Sequence, residues 1–361
     1  EREREREQLL PLFFFYLLVP AEEGTMQDAP ADEGDGEGGS SFDSNPSAAL
    51  DAAPGRSPSR AGPAATGSWE MRAPDDCGWI SFRDDDILSQ QFGIQEEEAV
   101  KMPCVGDKER LTALAAEYKS GSPILLEKIK VLSEHYTAIR RTRGDGNCFF
   151  RSFMFSYLEH ILETQDKTEV DRIKTHVEEC KKTLQNLGYA DFTFEDYFET
   201  FIELLDSVIQ GEEMSISDEE LLRKSQDRSY SDSVVMFFRF VTTGEIRKRW
   251  EFFEPFILGF TNGSGTVDQF CKTSVEPMGE ESDHIHITAL SDALGVPIRV
   301  LYLDRSSCDI GPVNVNHHDF IPSNIAGSAA TAGSGSIKDN SVKPFVTLLY
   351  RPGHYDILYP K

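Results

Sequence analysis

The sequence predicts an α+β fold, in which helices and strands are mixed but do not alternate as βαβ units. Three observations lead there. Helical periodicity fills most of the chain between residues 108 and 294. Strand-like runs rich in Val, Leu, Ile and Tyr come late, at 298–303, 345–350 and 355–359. No internal repeat is visible, and helices followed by strands is the pattern of an α+β domain. The 361 residues, 39% of them hydrophobic, allow one large domain or two ordinary ones.

In chain order, residues 1–7 alternate Glu and Arg, and 9–20 form an apolar run. That run falls short of the roughly 20 residues a membrane helix needs. The charge-balanced start does not suit a signal peptide. Residues 1–25 read as translated leader sequence, with Met26 as the expected start; a mature N-terminus upstream of Met26, found by mass spectrometry, would refute this. From 25 to 67 the chain is Gly, Ser, Ala, Pro, Asp and Glu, with Phe42 the only aromatic. Such a segment buries too little apolar surface to offset its chain entropy. Residues 1–77 are therefore expected to be a disordered acidic tail, and 78–361 the folded domain. Residues 84–100 are acidic with an apolar stripe of Ile87, Leu88, Phe92 and Ile94.

Helices are predicted at 108–118 (Leu111, Leu114, Ala115) and at 123–136, where Pro123 suits a first turn. Residues 148–162 read as a largely buried helix carrying Phe149, Phe150, Phe153, Met154, Tyr157, Leu158 and Ile161. Residues 166–187 form an amphipathic helix with Gly188 as its stop signal. Further helices are expected at 192–209, 217–223 and 231–250. A packed corner is expected at 250–256, then short helices at 267–275 and 284–294. The strand at 298–303 is followed by a polar loop over 305–341, Gly/Ala/Ser-rich at 327–336 and expected to be mobile. The last two runs form a hairpin around Arg351-Pro352-Gly353-His354.

The formal net charge of −26 argues against nucleic acid and against an anionic membrane surface, both of which would repel the chain. It suits a partner with a basic patch. The six cysteines, Cys77, Cys104, Cys148, Cys180, Cys271 and Cys308, include no CxxC pair. Neither a zinc site nor a small secreted scaffold is implied. The expected setting is a reducing compartment, with most cysteines acting as small buried hydrophobes. The default location is the cytoplasm, with the nucleus as a second compartment. No cofactor and no metal are expected. His284 and His286 lie two apart in a helix, on different sides, so N-capping by Asp283 and packing are preferred to metal binding. His317 and His318 are expected to be solvated in the loop, and Cys180 and Cys271 to be core residues.

The chemistry concentrates in Gly144-Asp145-Gly146-Asn147-Cys148-Phe149-Phe150-Arg151. A glycine turn delivers Cys148 to the first residue of a helix, where free N–H groups and the positive dipole end favour a thiolate. A free thiol, with pKa about 8.5, is mostly protonated at neutral pH. The amides of Gly144, Asp145, Gly146 and Asn147 are candidates for an oxyanion site, because glycines let several of them point inward. Taken alone, Cys148 reads as a buried core cysteine before it reads as a nucleophile. His354 and Asp356, two apart on a strand, share one face roughly 7 Å along it. Asp356 would orient the imidazole while its other nitrogen faces the thiol, the logic of nucleophile, base and orienter. A hairpin-turn histidine beside a solvated aspartate is the alternative.

These residues resemble the OTU family of cysteine deubiquitinases. The tyrosine-rich block at 350–359 and Val275-Glu276-Pro277-Met278-Gly279-Glu280-Glu281-Ser282-Asp283-His284-Ile285-His286-Ile287 narrow the resemblance to the otubain branch, with a plant member expected. The resemblance spans roughly residues 78–361. It implies a papain-like OTU fold, a small central β-sheet flanked by helical lobes, with a helical arm at about 84–118 that contacts the proximal ubiquitin. It implies a thiol hydrolase that cleaves isopeptide bonds in polyubiquitin and favours the proteasome-targeting lysine linkage, although plant members can be broader. Cys148 maps to the nucleophile, His354 to the general base, Asp356 to the orienting acid and Asp145 to support of the nucleophile turn. Glu195, Asp196 and Glu199 are candidate contacts for the basic surface around ubiquitin's tail. The 305–341 loop carries an insert where the family binds distal ubiquitin, and the long acidic tail has no counterpart. The expected partners are ubiquitin, polyubiquitin chains and ubiquitin-conjugating enzymes. The competing reading is a non-catalytic regulator that binds ubiquitin or its conjugating enzymes. An unrelated papain-like protease lacks support, because papain's pattern around the cysteine is absent.

Overall fold

The computed structural model describes residues 102–361, apart from 120, 210–214, 262, 264, 307–312, 324 and 326–342. The expectations for the 1–77 tail, the Met26 start, the 84–101 part of the arm and the 327–336 insert lie outside the described residues.

A six-stranded sheet runs in the order β1-β2-β6-β5-β3-β4. Its strands are β1 (Val105–Arg110), β2 (Tyr136–Thr142), β3 (Ile298–Tyr302), β4 (His317–Phe320), β5 (Val346–Arg351) and β6 (His354–Pro360). Only β3 and β5 pair in parallel; the other neighbours are antiparallel. Ten helices are described: α1 (Leu111–Glu117), α2 (Pro123–His135), α3 (Cys148–Thr164), α4 (Lys167–Asn186), α5 (Glu195–Val208), α6 (Asp218–Gln226), α7 (Arg228–Lys248), α8 (Trp250–Phe260), α9 (Val267–Phe270) and α10 (His284–Leu294). None of the described helices is long and apolar enough to cross a membrane.

The α+β class stands, with strands appearing earlier than periodicity indicated. Residues 108–110 were expected to open a helix, yet they belong to β1 and pair with 138–140 of β2. Four of the six β1 residues are exposed, so no alternating apolar signal marks this edge strand. The connector after α2 is β2, paired with β6. Three further expectations are corrected. The 305–341 segment is not loop throughout, because β4 pairs with β3 there. His318 is therefore half-buried, and its burial pushes the imidazole down in pKa. The expected corner at 250–256 is the first part of α8, which tolerates Pro255 inside it. The expected helix at 267–275 splits into α9 and a π-turn at Cys271–Val275.

The sheet divides two cores. Successive side chains of a strand face opposite sides. On one side Leu111 and Leu114 of α1 and Leu125, Ile129 and Leu132 of α2 meet Ile139, Leu349 and Leu358. On the other, a larger core joins α3, α4, α5, α7 and α10 to Val300, Leu348, Tyr355 and Ile357. Phe153, Phe201, Phe237 and Phe238 are fully buried there and touch ring to ring. Each buried phenylalanine contributes about 1.5–3 kcal/mol of transfer free energy. In β6 the alternation puts Tyr355 and Ile357 into this larger core and leaves His354 and Asp356 on the face of α1 and α2. Asp283 caps α10 as expected, in a capping box with His286, and Asp166 and Ser217 cap α4 and α6.

Candidate active site

Cys148 lies where β2 is converted into α3. The turn between them needs its glycines. Gly146 has φ +73°, and a Cβ there would lie 1.7 Å from the carbonyl oxygen of Gly279. No side chain fits that contact. Asp145 closes the turn from inside: its Oδ1 accepts the Asn147 N–H at 3.2 Å, and its Oδ2 accepts from the Arg151 guanidinium. The Asn147 side chain is also engaged. Its Nδ2 donates to the Asp145 carbonyl at 3.3 Å, and its Oδ1 accepts the Gly279 N–H at 3.0 Å. Asn147 is thus a brace within the turn. The first N–H groups of α3, that of Cys148 included, have no helical carbonyl to meet and present donors at the helix end. Cys148 itself is 4% exposed.

The second half of the site comes from the far end of the chain. The β5–β6 hairpin closes through Pro352 and Gly353, with Arg351 paired to His354 and Gly353 at φ +72°. Pro followed by a residue at positive φ suits a type II turn. This puts His354 at the start of β6, against the nucleophile turn: a Cβ on Gly144 would stand 3.5 Å from His354 Nδ1. Nε2 of His354 lies 3.0 Å from Asp356 Oδ1, and Cys148 stands close enough to the same imidazole to raise its pKa. Thiol, imidazole and carboxylate therefore stand in one chain of contacts.

The charges are set by that chain. Burial alone would push the His354 imidazole down, but hydrogen bonds to Asp356 and Cys148, and the negative charge of both, carry it up to about 9. Asp356 is fully buried. Burial would raise its carboxyl, yet His354, Arg351 and Arg141 hold it below the usual carboxylate range. Asp356 Oδ1 also accepts the Thr142 N–H at 3.1 Å; Oδ2 accepts from Arg351 at 2.7 Å and sits 3.7 Å from the Arg141 guanidinium. Both arginines meet Glu117 at the end of α1. The hydroxyl groups of Thr142 and Ser152 donate to the Tyr355 carbonyl at 2.6 and 3.2 Å, tying β2 and α3 to β6.

Sequence reasoning brought out Cys148, His354, Asp356 and Asp145, and these four converge. It missed Arg141, Thr142, Arg351, Arg151 and Arg239. Fully buried arginines have no distinguishing mark in a single sequence. A signal was present only for Arg351, beside the hairpin turn. Glu195, Asp196 and Glu199 lie along α5, which packs on α7 and α3. Glu195 is ion-paired with Lys181 at 2.7 Å, whereas Asp196 and Glu199 are exposed. His286 is buried between the Asp283 carboxylate and the Ser274 carbonyl, and His284 lies 2.9 Å from the Tyr302 hydroxyl. Among the described residues, no group of three or more His, Cys, Asp or Glu side chains could hold a metal.

A thiol at a helix start, contacted by an imidazole that leans on a buried carboxylate, is the arrangement a cysteine peptidase uses. Comparison with known proteins agrees with that class. The sequence matches the family described as Peptidase C65 Otubain over residues 97–360. It is 69% identical over 274 residues to the Arabidopsis thaliana "OVARIAN TUMOR DOMAIN-containing deubiquitinating enzyme 1", covering 76% of this chain and 86% of that protein. It is 41% identical over 276 residues to the human "Ubiquitin thioesterase OTUB1", covering 76% of this chain and 90% of that protein. A solved structure described as "h/ceOTUB1-ubiquitin aldehyde-UBCH5B~Ub" superposes with a TM-score of 0.65 at 32% identity, covering 77% of this chain and 98% of that one. The chain belongs to the otubain family of cysteine peptidases.

Proposed function

We propose that this otubain is a deubiquitinating enzyme that hydrolyses isopeptide bonds in polyubiquitin through Cys148, His354 and Asp356, preferring the linkage that marks proteins for the proteasome. The observation that carries the catalytic assignment is the contact chain from Cys148 through His354 to Asp356. His354 holds the proton drawn from Cys148 as an imidazolium, and the thiolate attacks the carbonyl of ubiquitin's C-terminal glycine. N–H groups at the start of α3 stabilise the oxyanion. The imidazolium then protonates the departing lysine amine, and the C–N bond breaks to leave a thioester. Water, deprotonated by His354, hydrolyses the thioester and restores the thiol. Asp356 stays ionised and fixes the imidazole orientation. Incubation with linkage-defined diubiquitins tests the reading. The wild type should cleave the proteasome-targeting linkage fastest and Cys148→Ser should cleave none. No cleavage of any linkage by the wild type removes the catalytic assignment, and equal rates for all linkages remove the preference.

Asp196 and Glu199, and Glu195 once released from Lys181, would attract the basic surface around ubiquitin's tail. Charge reversal there should raise KM; an unchanged KM removes this contact. A second reading has its own support. The structural relatives include complexes described with ubiquitin aldehyde and with UBCH5B~Ub or UBC13~Ub. By that likeness the chain also restrains ubiquitin-conjugating enzymes by binding alone. Cys148→Ala should then still slow chain synthesis, whereas loss of that inhibition together with cleavage would reject the binding role.

A further inference from the structure

Arg239 sits in the middle of α7, fully buried. Its surroundings are unusual for a buried cation. One terminal nitrogen donates to the Val275 carbonyl at 2.9 Å. The other reaches the Gly146 carbonyl at 3.2 Å, Asn147 Oδ1 at 2.7 Å and the Glu280 carbonyl at 2.8 Å. The guanidinium also lies 4.9 Å from the Phe150 ring centroid. Every one of these acceptors is neutral. Among the described residues, no carboxylate forms an ion pair with Arg239. Arg151, the other fully buried arginine at the turn, is compensated by Asp145 and by Asp232 at 2.6 Å. A buried charge without a counter-ion is costly, and removing one partner from a buried pair costs roughly 3–5 kcal/mol. Hydrophobic packing alone would not select arginine at this position.

We propose that Arg239 is a positioning residue of the nucleophile: it clamps the Gly146–Asn147 turn to the 275–280 segment, and its charge, hydrogen-bonded only to neutral acceptors, favours the thiolate form of Cys148. This rests on Cys148 being the nucleophile. The two roles share one geometry. Four hydrogen bonds from one planar group fix two chain segments at the base of the turn, which a lysine cannot reproduce. In the low-dielectric interior the same cation attracts an anion that forms on Cys148. Burial pushes the Arg239 guanidinium down to about 10, and Glu280, Asp145 and Cys148 are the anionic groups that act against that. The attraction is mutual: a thiolate that holds Arg239 charged is itself held by Arg239. The charged groups of the segments that meet at this turn are His354 and Asp356 of β6, Asp145 and Arg151 of the turn and α3, Arg239 of α7, Glu280, and Glu281, which lies near Gly353. Of the cations among them, Arg151 is bonded to Asp145 and Asp232 and His354 to Asp356, whereas Arg239 is bonded only to neutral acceptors.

The test is the pH dependence of Cys148 alkylation by iodoacetamide in the full chain, with the label located by peptide mass spectrometry. It is run on the wild type, Arg239→Met and Arg239→Lys, each also melted thermally. In Arg239→Met the alkylation rate at pH 6 should fall at least about tenfold, which corresponds to ~1.4 kcal/mol, while the rate at pH 10 stays that of the wild type. Arg239→Lys keeps the charge and loses the fork. It should keep the wild-type alkylation profile and lower kcat on a ubiquitin C-terminal amide, with KM unchanged. A folded Arg239→Met with the wild-type profile overturns the proposal. If Arg239→Met does not fold, Arg239→Gln supplies the same neutral readout, and Arg239→Lys decides the clamp: wild-type kcat overturns it. If the wild type alkylates like a free cysteine and His354→Ala changes nothing, it is the assignment of Cys148 that fails, a result distinct from either outcome for Arg239.

Discussion

His354 is held in its charged form by its neighbours against its own burial. Its pKa, raised to about 9, means the folded state binds this proton more tightly than the unfolded chain, whose histidines titrate near 6.5. The stabilisation is fully present below about 6.5 and is lost as pH rises through about 9. Asp356 has the opposite sign: its lowered pKa gives stability that is present above the ordinary aspartate range and lost as pH falls through the folded value. We expect the alkaline limb of kcat/KM on a ubiquitin C-terminal amide to fall with an apparent pKa near 9, because the imidazolium that protonates the leaving amine disappears there. A limb with an apparent pKa far from 9 would assign it to another group. At Gly146 the forecast is steric. Gly146→Ala places a methyl 1.7 Å from the Gly279 carbonyl oxygen and demands positive φ of an L residue. It should cost roughly 3 kcal/mol and leave a misaligned turn, read as a lower denaturant midpoint together with lost cleavage.

At the scale of elements, the first strand and helix belong to the site although they lie far from it in sequence. β1 and β2 extend the sheet beside β6, and α1 ends at Glu117, which meets both arginines that hold Asp356. The Glu117 side chain is 48% exposed, so these ion pairs add little stability. Their effect is on orientation. Glu117→Gln should leave the melting temperature nearly unchanged and lower kcat severalfold, up to about tenfold, because Arg141 and Arg351 lose the group that spaces them. Unaltered kcat would show that Asp356 is fixed by Thr142 and His354 without help from α1. Helix α3 carries the opposite kind of load. Phe153 is fully buried and meets Tyr157 and Phe238 ring to ring. Phe153→Ala should destabilise the fold by about 3–5 kcal/mol, measured by denaturant unfolding, with loss of activity following unfolding.

Over the whole molecule, the net charge of −26 opposes compaction by self-repulsion. Raising ionic strength from about 0.01 M to about 0.15 M shortens the screening length from roughly 30 Å to roughly 8 Å, and the melting temperature should rise by about 2 °C or more. A fall would show that the buried ion pairs around Asp356 and Arg151 outweigh the surface repulsion. The two cores share the sheet, so a loss on either face reaches β6 and the hairpin that carries His354.

Local chemistry was legible because it is written in adjacent residues. The glycine turn ahead of Cys148, the helix that follows it, the Pro-Gly hairpin and the two-residue spacing of His354 and Asp356 each need only a few neighbouring positions. The larger helices were legible for the same reason, since a 3.6-residue period repeats within one segment. β1 and β4 were not. Their side chains do not alternate cleanly, and as edge strands they are defined by the backbone of β2 or β3, which the sequence does not place. The buried arginines were equally silent: Arg141, Arg151 and Arg239 look like surface residues until folding surrounds them. The sequence by itself determined which residues can be nucleophile, base and orienter, through turn geometry and strand period. Only the tertiary structure decided that they meet, and which charges hold them, because those contacts join segments up to some 200 residues apart, such as Thr142 and Asp356 with a separation of 214, and arise from burial in a shared core.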